Sequence, residues 1–115
     1  RLTYDVVYTA RAKRDLQRAT EAIARNAPET AQRWFDGFVA TFQTLSTDAT
    51  VYSLAPENEQ CSVEARQILY RTKSRRVNRA LYTIRDTTVY ILAIRRPGED
   101  LLTEEELAQA VAELE

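Results

Sequence analysis

Three β-rich runs crowd into residues 65–96: 65–72 (ARQILYRT), Val77–Arg85 (VNRALYTIR) and 88–96 (TVYILAIRR). Only residues 73–76 and 86–87 connect them. A parallel crossover needs a dozen or more residues, so connections this short force consecutive strands to pair antiparallel as a meander. Whatever else the chain holds must pack against that sheet.

Residues 3–8 (TYDVVY) alternate Tyr4, Val6 and Tyr8 against Thr3, Asp5 and Val7, the period of a further strand. Thr9 then stands where a helix N-cap belongs. Over residues 10–25, Ala12, Leu16, Ala19 and Ile23 share one helical face. Asn26 and Pro28 end that helix, and Pro28 with Glu29 opens a second. Ala31, Trp34, Phe35, Phe38, Val39, Phe42 and Leu45 recur at three-and-four spacing, so the two helices are expected as an antiparallel hairpin.

Residues 46–64 are polar and irregular and are read as a long loop, with at most a short strand near residues 51–54. Pro97 and Gly98 make a turn. Thr103 with Glu106 is a capping box, opening a last acidic helix with Leu107, Ala110, Val111 and Leu114 on its apolar stripe. The order βααβββα predicts an α+β fold in which a helical hairpin packs on one face of a mostly antiparallel twisted sheet. With 115 residues and 44% hydrophobic content, residues 1–115 are expected to form a single domain, 103–115 being its C-terminal acidic amphipathic helix.

Charge is distributed unevenly over this frame. Residues 66–97 carry Arg66, Arg71, Lys73, Arg75, Arg76, Arg79, Arg85, Arg95 and Arg96 against the single acid Asp86. Residues 1–65 carry seven basic and nine acidic side chains, and residues 98–115 none and seven, so the total of −1 hides a polar molecule. Such asymmetry points to a nucleic-acid or acidic-protein partner. Arginine outnumbers lysine eight to one in the basic stretch, and its planar fork grips phosphates or carboxylates in two places.

Several chemistries are absent. The chain has no histidine, which removes the usual general base and every imidazole triad. One cysteine, Cys61, makes neither a disulfide nor a zinc site, and two glycines make no phosphate-cradling loop. No metal or cofactor is expected. No apolar run approaches a membrane span and no leader is legible, so a cytoplasmic location is expected.

Strict alternation puts Leu69, Arg71 and then Lys73 on one face of their strand and Ile68 and Tyr70 on the other. It sets Ala80, Tyr82 and Ile84 against Val77, Arg79, Leu81 and Thr83. In the last strand it groups Val89, Ile91, Ala93 and Arg95 opposite Tyr90, Leu92, Ile94 and Arg96. With helices on one side only, the other side is expected to be an open, shallow cationic groove formed by Arg66, Arg71, Lys73, Arg75, Arg76, Arg79, Arg95 and Arg96.

The order of ARAKRDLQRATEAIA, PETAQRWFDGF, RQILY, VNRALYTI and VYILAIRR resembles the RelE/ParE superfamily of bacterial type II toxin-antitoxin toxins over nearly the whole chain. The resemblance implies a protein with a role in growth inhibition and plasmid stabilisation, neutralised by a cognate antitoxin. RelE-like members cut messenger RNA in the ribosome, and ParE-like members inhibit DNA gyrase. Arg79 matches the third-strand arginine of the RNases, Arg71 and Lys73 approximate their lysines, and Arg96 or Pro97 falls at the fourth-strand position. A C-terminal Tyr or His found in many of the RNases has no counterpart.

Cutting RNA through its own 2′-hydroxyl needs a base, an acid and positive charge, and arginine supplies only the last. The expectation is therefore a ParE-like toxin that inhibits gyrase by binding. The alternatives are a RelE-like endoribonuclease using Arg79, Arg71, Lys73 and Arg96, and a non-toxic member that only binds its antitoxin.

Overall fold

A computed structural model describes residues 2–115. The chain runs β1 (Asp5–Tyr8), α1 (Ala10–Ala24), α2 (Pro28–Gln43), α3 (Leu45–Asp48), a 3₁₀ turn (Pro56–Gln60), β2 (Arg66–Arg71), β3 (Val77–Arg85), β4 (Thr88–Arg95) and α4 (Glu104–Ala112). The sheet order is β1-β4-β3-β2, with β1 parallel to β4 and the other pairs antiparallel. This is the α+β arrangement expected from the sequence, with two short helices added where a continuous loop was expected.

Thr9 caps α1: its Oγ1 accepts the Ala12 N–H at 3.1 Å and donates to the Ile91 carbonyl at 2.8 Å, so one side chain ends β1, starts α1 and ties both to β4. Pro28 opens α2, whose missing N–H is harmless in the first turn. Along α2, Trp34, Phe38 and Phe42 fall four residues apart and are buried against the sheet, with Phe38 and Phe42 stacked at 4.6 Å. Truncating a ring buried this deeply costs about 3–5 kcal/mol. Tyr70 of β2 stacks on Phe38 at 4.8 Å. Gly37 admits that ring, since a Cβ there would fall 2.9 Å from Tyr70 Cζ.

The helical hairpin thus buries one sheet face, with Ala12, Leu16, Ala19, Ile68, Ala80, Tyr82, Val89, Ile91 and Ile94 in its core. The other face is not the open surface expected. Leu81, Leu92 and Ala93 pack with Ala55, Ala65, Leu102, Leu107 and Ala110 in a second core, so α4 and the segment before β2 cover it. Side chains of Leu, Val and Ala on both faces of a central strand demand such a second layer.

One register irregularity reorganises β4. Leu81 pairs with Ala93 but Tyr82 pairs with Ile91, so Leu92 is an extra residue in a bulge. Alternation shifts phase there: Val89, Ile91 and Ile94 lie in the helix-side core, whereas Leu92 and Ala93 lie in the second. Ala93 and Arg95 therefore lie on the face opposite Ile91, not with it as strict alternation predicts. Arg95 pairs with Arg79 on the α4 side, and Arg96, one residue further, turns to the helix side.

Candidate functional site

The bulge and the second core divide the basic residues into two populations. Arg79 extends beneath the 3₁₀ turn, where its Nη1 and Nη2 donate to Glu57 Oε1 and Oε2 at 2.8 and 2.7 Å. Glu57 is 1% exposed, and its Oε2 also accepts the Leu102 N–H at 3.1 Å. Burial alone would raise the Glu57 carboxyl, but the Arg79 hydrogen bond, the Leu102 N–H and the Arg79 charge together hold it below the usual carboxylate range. Arg79 also donates to Gln67 Oε1 at 3.3 Å.

Arg95 donates to the Asp100 carbonyl and lies 3.8 Å from Glu99. Arg66 donates to the Tyr52 carbonyl and pairs with Glu64 at 3.1 Å. Arg85 reaches the C-terminal turn, bonding the Leu114 carbonyl and Glu115. These four arginines hold loops and termini to the sheet, so Arg66, Arg79 and Arg95 do not contribute to an open cationic surface.

The rest converge elsewhere. At the far end of the helix side, between the α1–α2 tip and the β2–β3 turn, a groove of about 560 Å³ is lined by Arg33, Arg71, Lys73, Arg76 and Arg96 together with Trp34, Tyr70, Asn78, Thr30, Thr72, Ser74, Ile23 and Pro97. No carboxylate lines it. Among the described residues none of these five cations enters an ion pair. Arg33 was not among the residues singled out from the sequence. Its position one residue before Trp34, three after Thr30 at the start of α2, was the available signal.

The turn feeding this groove is tight. Arg75 N–H donates to the Thr72 carbonyl at 2.9 Å, Thr72 N–H to the Arg76 carbonyl at 3.2 Å, and Arg75 takes the left-handed conformation at φ 64°. Arg75 is exposed on the turn outside the groove lining.

Neither tyrosine offered by the strands is placed as a base. Tyr82 is fully buried, donates to the Ala49 carbonyl at 2.7 Å, and burial pushes its phenol well up, as burial also raises Tyr70. The four residues of the RNase alternative are split: Arg71, Lys73 and Arg96 line the groove, whereas Arg79 is held by Glu57 across the sheet.

The family profile described as the ParE toxin of type II toxin-antitoxin systems, parDE, matches residues 6–101. The chain belongs to the ParE toxin family. The match covers the helical hairpin and all of the sheet of this ParE-family chain except Asp5, the first residue of β1, and α4 lies beyond it. Among solved structures, a chain of the chromosomal ParDE toxin-antitoxin system from P. aeruginosa is similar, with 21% identity and a TM-score of 0.64 over 83% of this chain and 97% of that one. At that identity the likeness shows the fold. Comparison with curated protein sequences gives no match. No helix of the described residues is long and apolar enough to cross a membrane.

Proposed function

We propose that this ParE-family chain is a growth-inhibiting toxin that acts by binding DNA gyrase and is neutralised by a cognate antitoxin. The observation that carries the choice against RNA cleavage is the Arg79–Glu57 pair. The one arginine that matches the RNase motif is neutralised by a buried carboxylate and roofed by the 3₁₀ turn, where it cannot meet a transition-state phosphate. Tyr82 is buried on the opposite face, the chain has no histidine, and the Glu57 carboxylate is engaged by Arg79 and the Leu102 N–H, which argues against a base for the 2′-hydroxyl proton beside Arg79.

Antitoxin binding rests on charge and on an edge. β2 is a terminal strand, and residues 53–55 pair only with its beginning, through the bonds Gln67 N–H to Ser53 O and Ala55 N–H to Ala65 O. Beyond them Leu69 is 41% exposed, beside Arg71, Lys73, Arg75 and Arg76, which enter no ion pair among the described residues. An extended segment with acids and an apolar anchor fits that edge.

Induced expression in a bacterial host tests both halves. Growth arrest with a relaxed reporter plasmid, both reversed by co-expressing a small acidic partner encoded beside this reading frame, is the expected result. Arrest with normal supercoiling and cleaved messenger RNA would favour the endoribonuclease, and unimpaired growth would favour the non-toxic member.

A further inference from the structure

The groove at the α1–α2 tip holds more than loose cations. Asn78 lines it, is 1% exposed, and its Nδ2 donates to the Tyr70 carbonyl at 3.4 Å, yet among the described residues its Oδ1 has no partner. Arg96 lines it from just past the end of the neighbouring strand, one step beyond the Arg79–Arg95 pair, and its buried Nε likewise has no partner among the described residues. A buried acceptor and a buried donor left open in one cleft are unfavourable unless something fills it. The first turn of α2 also borders the cleft through Thr30, and its N-cap, Ala27, offers no capping side chain.

The cations reach the cleft from α2, β2, the turn and the end of β4, and they do not follow a line. Convergence on one concavity suits a compact polyanion, whereas a nucleic-acid strand would need charges strung along a track. A volume of about 560 Å³ is that of a small-molecule cleft. The unmatched Asn78 acceptor, beside the half-buried Tyr70 ring, calls for a ligand that also carries a hydrogen-bond donor and a flat apolar part.

We propose that this groove binds a nucleoside di- or triphosphate, its phosphates on Arg71, Lys73, Arg76 and Arg96 and its base end toward Asn78 and Tyr70. The proposal goes beyond the gyrase reading and does not depend on it.

Trp34 lines the groove and is the only tryptophan, so its fluorescence reports the site directly. The purified chain is titrated with ATP, with inorganic tripolyphosphate, with adenosine and with a single-stranded oligothymidylate. The expected result is a saturable change with ATP at sub-millimolar concentration that weakens with added salt, competition by tripolyphosphate, and adenosine weaker by at least about tenfold. Lys73→Gln and Arg96→Gln, with unchanged far-ultraviolet circular dichroism, each weaken ATP about tenfold or more, while Arg14→Gln on the exposed side of α1 does not. The proposal is overturned by no saturable response at millimolar ATP, by undiminished ATP binding in Lys73→Gln and Arg96→Gln, or by oligothymidylate binding more tightly than ATP.

Discussion

Arg79 and Arg95 stand directly opposite one another on β3 and β4, and Glu57 meets only Arg79, at 2.8 and 2.7 Å. Two like charges facing across a ladder destabilise it, and the buried carboxylate relieves that repulsion while tying the 3₁₀ turn, β3 and the approach to α4 together. Arg79→Ala would leave Glu57 buried and uncompensated. Urea denaturation should show a loss of about 3–5 kcal/mol, the usual effect of removing one partner of a buried pair. A loss below about 1 kcal/mol would place the pair among exposed ion pairs.

The same contact fixes a pH dependence. Glu57 titrates below its ordinary value of 4.5 in the folded chain, so its stabilising contribution is present above about pH 4.5 and disappears as pH falls through the lower folded value. Glu106, lowered chiefly by the Thr103 N–H, has the same sign. Glu57→Gln should therefore flatten, without abolishing, the fall in stability between about pH 5 and pH 2. An unchanged slope in thermal melts across that range would contradict the assignment.

Gly37 lies inside α2, where alanine normally stabilises a helix by about 1 kcal/mol. Against Tyr70 the sign should reverse, because a Cβ there meets the phenol ring at Cζ and its hydroxyl. Gly37→Ala is expected to destabilise by about 1–3 kcal/mol and to be rescued in part by Tyr70→Ala in a double-mutant cycle. Additive losses would mean that the ring is not what glycine accommodates.

Arg75 holds a left-handed conformation that glycine adopts without strain. Arg75→Gly should stabilise the fold by roughly 1 kcal/mol, read as a higher midpoint of denaturation, while removing one exposed cation. A destabilised variant would show that the side chain contributes more than the backbone strains.

Much of this architecture could be read in advance because local signals agreed. Thr9, Pro28 and the Thr103–Glu106 box lie at real helix starts, and the α2 stripe of Trp34, Phe38 and Phe42 is the core it resembles. The bulge could not be read, since an extra Leu92 inside TVYILAIR leaves an unbroken apolar run either way. That hidden phase shift decides which face Arg95 and Arg96 occupy, hence which cations remain free. Glu57 was equally silent: an acid in the polar PENEQ segment reads as solvated, and only the long-range fold brings Arg79 beneath it. The second core draws on Ala55, Leu81, Leu92 and Leu107, too scattered along the chain to form a local pattern.

Inhibition by binding, with Arg79 held in a structural pair and no RNA cut, is what gyrase and ribosomes together can decide. The most direct test adds the purified chain to DNA gyrase in a supercoiling assay, alongside ribosomes translating a defined messenger RNA. Dose-dependent loss of supercoiling with the messenger RNA intact is the expected result. Full supercoiling activity with ribosome-dependent cleavage of the messenger RNA would contradict it.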